Sequence, residues 1–237
     1  NEAVTVGYVG NTDAGTATAS ATYAETANYN TSSDSENFTI DKADAVCTIS
    51  GFTGTYDGSA HGATGSCSGD GSLDLGASFT DAPGGTASWT YTAGANFNGQ
   101  TGTAPIVINK ADAIISVTPY SVIFDGAPHT ATGTATGVNA EDLSGLLDLS
   151  GTIHTAAGTY ATDAWTFAGN TNYNAANGTV SDSIGKADTT TAVTCTAGPF
   201  TYTGSAQTPC SATVTGPNGL NEAVTVGYVG NTDAGTA

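Results

Sequence analysis

Short stretches of period-two alternation recur along the chain. Ala87, Trp89 and Tyr91 take every second position of one stretch, Ala19, Ala21 and Tyr23 those of another, and Asp163, Trp165 and Phe167 those of a third. Successive side chains of a strand point to opposite faces, so each stretch predicts a strand with one buried face. Asp163 breaks the apolar rule and is expected at the rim of its sheet. Shorter runs fill the intervals. Val4-Thr5-Val6, Leu73-Asp74-Leu75 and Leu147-Asp148-Leu149 predict strands just before the aromatic ones. Phe38-Thr39-Ile40 and Ile106-Val107-Ile108 predict strands just after them. Strands of about five residues, parted by turn residues every eight to twelve, predict small all-β sandwiches.

The pattern is periodic on a longer scale. Residues 1–17, NEAVTVGYVGNTDAGTA, recur unchanged at 221–237, a period of 220. The only basic residues, Lys42, Lys110 and Lys186, each open a Lys-Ala-Asp tripeptide, with spacings of 68 and 76. Asn28-Tyr29-Asn30, Asn96-Phe97-Asn98 and Asn172-Tyr173-Asn174 keep the same spacings. The aromatic turns Tyr56-Asp57-Gly58, Phe124-Asp125-Gly126 and Tyr202-Thr203-Gly204 follow each lysine by about fifteen residues, with spacings of 68 and 78. Three units therefore fill one 220-residue repeat, each opening at its lysine. Boundaries fall at 1–41, 42–109, 110–185 and 186–237. The first piece holds the later strands of a unit. The last holds the first strands, which the equivalent of 1–41 in a next repeat is expected to complete. The last strand of a unit reaches the next lysine within two residues, so the units are expected in a nearly fixed head-to-tail rod. A core residue set is expected from the aromatics: Tyr23, Tyr56, Trp89, Tyr91, Phe124, Trp165, Phe167 and Tyr202.

Lys-Ala-Asp-Ala, then Tyr-Asp-Gly-Ser-Ala-His, Asp-Ala-Gly-Thr, Asn-Tyr-Asn and Phe-Thr-Ile, in that order, resemble the tandem bacterial immunoglobulin-like repeats called MBG modules. The resemblance covers the whole chain. It implies immunoglobulin-like β-sandwiches strung along large secreted or surface-attached bacterial proteins, often adhesins or stalks, without enzymatic activity.

Charge narrows the partners. Twenty-one acids face three basic residues, for a net charge of −18. Nucleic acid needs a basic stripe, and anionic lipid needs one too. Neither is an expected partner, and no stretch is long and apolar enough to span a membrane as a helix. The expected partners are further copies of the same repeat, within one chain or in a polymer.

The four cysteines pair most simply as Cys47–Cys67 and Cys195–Cys210, each pair inside one unit and bracketing its aromatic turn. Each is expected to tie the first strand of its unit to the second, in an oxidising, extracellular or cell-surface location. The rival zinc site lacks Cys-x-x-Cys spacing. His61 and His129 share one repeat position, taken by Gln207 in the third unit, which points to a hydrogen-bonding turn role. His154 is expected to be exposed at a turn. No catalytic or metal-ligating residue is assigned.

The junction residues Lys42, Asp44, Lys110, Asp112, Lys186 and Asp188 carry two readings. One is an intramolecular Lys–Asn isopeptide bond of the kind some pilus domains make. The favoured one is pairing with Asp41, Asp44 or a neighbouring unit's acid. Calcium at the junctions would need dense Asp/Asn spacing. Asp41 with Asp44, and Glu141 with Asp142, are the best clusters, and solvated acids are the favoured reading. Asn30, Asn37 and Asn177 match the glycosylation sequon. Two functions follow. The first is a structural segment of a very long extracellular fibre, stalk or surface protein. The alternative is an adhesin whose sandwich-end loops bind glycan or protein.

Overall fold

The computed structural model describes residues 4–235. Strands account for nearly all its regular structure, with four short 3-10 turns among the described residues. The chain divides into two compact units. The first holds residues up to Asp112 together with Asn170–Asn174; the second holds Ala113–Gly169 and the chain from Ala175.

The first unit begins with an antiparallel sheet of β1 (Val6–Val9), β2 (Gly15–Tyr23) and β3 (Ser32–Ile40), in that order. Tyr8 meets Phe38 edge-on across it, at 6.3 Å between ring centres. Eight shorter and longer strands follow: β4 (Ala43–Asp44), β5 (Cys47–Ser50), β6 (Phe52–Thr55), β7 (Thr64–Cys67), β8 (Ser72–Asp74), β9 (Gly84–Thr92), β10 (Phe97–Asn98) and β11 (Gln100–Asn109). One sheet has the order β6-β11-β9-β8, with β6 parallel to β11. A second pairs β5 with β7, and a third pairs β4 with β10. Ile106 and Ile108 of β11 form the core with Ala63, Ala82, Ala87 and Ala104. Ile49 of β5 packs on them from the other sheet, beside Phe52, Tyr56, Leu75 and Phe79. The core is thin because four of its six buried residues are alanine.

The second unit repeats the four-stranded order. Its strands are β12 (Ile114–Thr118), β13 (Ser121–Ile123), β14 (Thr132–Thr136), β15 (Leu147–Asp148), β16 (Gly158–Phe167) and β17 (Ala176–Gly185). The sheet runs β13-β17-β16-β15, with β13 parallel to β17, and β12 pairs with β14. A separate antiparallel sheet joins β18 (Thr190–Cys195), β19 (Cys210–Thr215) and β20 (Asn221–Val224).

One cross-strand pair recurs in both four-stranded sheets. Trp89 faces Gly102, and Trp165 faces Gly178. A Cβ on either glycine would stand 2.5 or 2.4 Å from the indole, so the ring lies flat over bare backbone. The aromatic turn recurs three times, with positive φ at Gly58, Gly126 and Gly204 of 79°, 83° and 74°. Only glycine adopts that conformation without strain.

Several expectations need correction. Cys47 is bonded to Cys67 and Cys195 to Cys210. The first bond ties β5 to β7, the strand after the aromatic turn, as expected. Between its cysteines the chain crosses to the other sheet as β6 and returns. Asp163 lies in the interior, 8% exposed, and not at a rim. A bulge between Tyr160 and Asp163 re-aims the strand there. His154 is not a freely exposed turn residue, since its Nε2 is buried. Tyr202 is 64% exposed and so belongs to no core in this structure. Tyr91 and Phe167 are buried, while Tyr23, Tyr56, Trp89, Phe124 and Trp165 are half-buried.

Candidate functional site

The Lys-Ala-Asp and Asn-x-Asn motifs meet in space, and they meet the same way twice. Both meetings lie in the first unit. Lys42 donates to the carbonyl of Gly94, and Lys110 to that of Asn170, each two residues before an Asn-x-Asn run. Asn98 Nδ2 donates to Asp44 Oδ1, and Asn174 Nδ2 to Asp112 Oδ1, both at 2.8 Å. Between these anchors Ala43 bridges Phe97 and Ala111 bridges Tyr173, both in parallel. The start of each segment is thus latched to the loop before its own last strand.

The pairing of the lysines differs from expectation. Each ammonium meets a backbone carbonyl and not Asp41, Asp44 or a neighbouring acid. The carboxylates are taken by asparagine amides. Lys186 and Asp188 make no corresponding pair among the described residues.

The first asparagine of each run reaches across the lysine boundary. Asn96 Oδ1 accepts from Ala14 N at 2.7 Å, and its Nδ2 donates to Asp13 Oδ1 at 3.0 Å. Asn172 does the same to Ala82 N and Asp81 Oδ1, at 2.9 and 2.8 Å. One amide therefore closes a two-point clamp on the Asp-Ala turn that precedes the long aromatic strand of the segment before. Beside the second clamp, Tyr173 is fully buried and meets Tyr56 edge-on at 5.6 Å. Asn172→Ala removes both bonds and leaves Ala82 N–H without its acceptor. The expected loss is about 1–3 kcal/mol of first-unit stability, read by denaturant unfolding. Asn172→Asp should fall near the alanine variant, because it keeps the acceptor but sets two carboxylates together.

Sequence reasoning aligned these asparagines but assigned them no role. The signal was present: Asp13-Ala14 and Asp81-Ala82 share the 68-residue spacing of Asn28 and Asn96. The later segment has Ala156 where these turns have aspartate. That junction lacks one half of the clamp.

The aromatic turns carry hydrogen bonds of their own. His61 Nε2 lies 3.0 Å from Asp57 Oδ1, and His129 Nε2 3.0 Å from Asp125 Oδ1. In the third turn Gln207 Nε2 donates to Thr203 Oγ1 at 2.8 Å. The histidine and its aspartate are exchanged together for glutamine and threonine. The backbone N–H of Ser59 and then His61 hold Asp57 below the usual carboxylate range; Ala127 N–H and His129 do so for Asp125.

A different cluster lies inside segment 110–185. Asp182 is fully buried at the position where β11 has Ile106, 76 residues earlier. Its Oδ1 accepts from Tyr120 N at 2.8 Å, and its Oδ2 has no hydrogen-bond partner. Asp163 stands beside it. His154 Nε2 is 2.9 Å from Asp163 Oδ2 and stacks flat on Tyr160 at 3.5 Å. That distance suits an ion pair, yet neither atom has hydrogen-bond alignment. The distance is the sounder guide to their electrostatics, since charge attraction needs no alignment. Burial, and then the neighbouring Asp163, hold the Asp182 carboxyl above its usual range, against the opposing effects of Tyr120 N–H and His154. Burial and the same two carboxylates push the Tyr120 phenol up.

The sign of the linkage follows. A raised carboxyl favours folding in its protonated form, and that contribution is lost as pH rises through the folded value. Asp182→Asn keeps the acceptor for Tyr120 N–H and offers Asp163 a donor. At neutral pH the variant should be about 1–3 kcal/mol more stable than the parent. The gap should close as pH falls toward the ordinary carboxylate value of 3.8. Thermal melts from neutral pH to that value check it; a gap independent of pH would refute the assignment.

Among the described residues, no three His, Cys, Asp or Glu side chains group as metal ligands. Asp44 Oδ1 is engaged by Asn98, and Asp142 Oδ1 accepts from Ser144 N. No helix among the described residues is long and apolar enough to cross a membrane. The two disulfides fit an oxidising compartment outside the cytoplasm. No protein-family model matches the chain, and no curated protein matches it significantly.

Proposed function

We propose that the chain is a structural segment of a very long extracellular or cell-surface fibre or stalk, built from immunoglobulin-like sandwiches in head-to-tail order. The observation that carries this reading is the repeated clamp. Asn96 on Asp13-Ala14 and Asn172 on Asp81-Ala82 join consecutive segments by the same two hydrogen bonds. A contact that recurs at two successive boundaries sets one geometry for both steps, which is what a regular rod needs. Each segment then supports its neighbour, which a thin core of mostly alanine and isoleucine requires. The acidic, lysine-poor surface keeps neighbouring rods apart by repulsion. The segments differ little at their ends, which disfavours a dedicated ligand-binding tip.

The test is the contour length of chains carrying one, two and three 220-residue repeats, measured by electron microscopy. The expected result is a stiff particle that lengthens by a constant increment per repeat. Particles that grow in all dimensions, or that bend freely at each lysine, would overturn the reading. Glycan or protein capture by a single repeat at useful affinity would favour an adhesin instead.

A further inference from the structure

Segments 42–109 and 110–185 share one four-stranded sheet order but differ in the middle of their cores. Where β11 places Ile106, β17 places Asp182, and both side chains are fully buried. Where Cys47 and Cys67 are bonded across β5 and β7, Ile115 and Ala135 face each other across β12 and β14. The later segment therefore holds an acid in its interior and has no disulfide of its own.

Asp182 has titratable neighbours on every side. Tyr160 of β16 sits opposite it, and the bulge between Tyr160 and Asp163 brings Asp163 of the same strand into the interior. Tyr120, just before β13, donates its N–H to Asp182 Oδ1 at 2.8 Å and its hydroxyl to the carbonyl of Thr152 at 3.2 Å. His154, after the 3-10 turn Ser150–Thr152, reaches Asp163 Oδ2 at 2.9 Å. His129 bridges His154 through the backbone, but its Nε2 meets Asp125. Lys110, the lysine of this segment, is engaged at the carbonyl of Asn170. One imidazole thus stands against two buried carboxyls and can neutralise only one of them. Asp182 Oδ2, Asp163 Oδ2 and His154 Nε2 are all buried without an aligned hydrogen-bond partner. A proton held by the pair leaves one carboxylate for His154. Its loss leaves a second buried charge without a counter-charge, which is strongly unfavourable.

We propose that this cluster is a pH-gated latch on segment 110–185: with one proton held between Asp163 and Asp182 the β16–β17 pairing is closed, and loss of that proton opens this segment while 42–109 stays folded. Asp182 sets the direction. Its carboxyl is held above the ordinary value of 3.8, first by burial, so its contribution is complete below that value and is lost as pH rises through the raised one. Asp125, Asp142 and Asp148 of the same segment act in the opposite sense. Backbone N–H groups hold all three below the ordinary value, so their contribution is present above it and is lost as pH falls. All three are exposed, and only the interior pair responds to rising pH. Segment 42–109 has Ile106 in place of the acid and a disulfide across β5 and β7, so it lacks both the trigger and the freedom to open. The latch belongs to one segment and does not depend on the rod proposed above. In such a rod it would let this segment extend while its neighbour holds.

The experiment is hydrogen exchange of the 237-residue chain, read by mass spectrometry from the ordinary carboxylate value to above neutral pH and corrected for the intrinsic exchange rate. Amides of β16 and β17 lose protection as pH rises, by up to about tenfold per pH unit for release of one proton, while those of β9 and β11 keep theirs. Asp182→Asn keeps an acceptor for Tyr120 N–H and flattens the β16–β17 profile onto that of β9–β11. Asp182→Ile, which installs the residue of the earlier segment, flattens it too, so the test does not hang on one variant folding. Parallel profiles for the two segments of the parent overturn the proposal. So does β16–β17 protection that falls only toward acid, which is the behaviour of the exposed carboxylates alone. A variant that folds and keeps the pH slope of the parent overturns it as well.

Discussion

Replacing Tyr173 by alanine will lower the stability of the first unit by about 3–5 kcal/mol, the usual cost of emptying an aromatic core site. Tyr173 is fully buried although it sits on a loop between two long strands. Its ring meets Tyr56 edge-on at 5.6 Å, and such aromatic pairs contribute about 0.5–1.5 kcal/mol beyond burial. Its backbone is held as well. Ala111 bridges it, and Asn170 Oδ1 accepts its N–H at 3.0 Å. The loop cannot collapse into the hole without giving up those bonds, so the cavity term should be felt in full. Urea unfolding followed by tyrosine and tryptophan fluorescence measures the change. Tyr173→Phe separates ring from hydroxyl and should retain most of the stability. A loss under about 1 kcal/mol for the alanine variant would place the ring at the surface.

The second large effect concerns the Cys47–Cys67 bond. Its loop of 20 residues predicts a contribution of about 3 kcal/mol from the unfolded chain. The double variant Cys47→Ala, Cys67→Ala should lose that amount and melt earlier by a corresponding margin. The molecule itself suggests a better replacement. Cys47 and Cys67 face each other across β5 and β7, and 68 residues later Ile115 and Ala135 face each other across β12 and β14. Ala135 is 1% exposed, so that apolar pair fills the same site by packing. Cys47→Ile with Cys67→Ala should therefore recover part of the loss. Calorimetry of the three proteins decides; equal melting of the two double variants would mean that the site does not admit the isoleucine. Reductant should lower the parent further than either variant, since it also opens Cys195–Cys210.

These two sites and the buried acid differ in how far sequence revealed them. Pairing of the cysteines by segment follows from their spacing. So does the tie across the aromatic turn, but not the strand β6, which leaves for the other sheet between Cys47 and Cys67. Tyr173 aligns with Tyr29 and Phe97, yet nothing local distinguishes a buried loop aromatic from an exposed one. Tyr29 is in fact 68% exposed. Asp182 received no reading from sequence, and only the β16–β17 pairing turns it inward beside Asp163.

The turn histidines show the same limit. The exchange of histidine for Gln207 is visible in sequence. Its reason is the simultaneous exchange of Asp57 and Asp125 for Thr203, four residues earlier and hydrogen-bonded only in the fold.

By itself the sequence determined what is local. Period-two alternation marks strands, glycine at positive φ marks the aromatic turns, and fixed spacing marks the segments, because each depends on residues close along the chain. The tertiary structure decided what is distant. It set β6 parallel to β11, sent one 17-residue text into two different pairings, and carried Asn96 and Asn172 across their boundaries to Asp13 and Asp81. Each of those contacts joins groups dozens of residues apart. Whether such a contact forms depends on which faces and edges the whole sheet leaves open, and no local pattern carries that information.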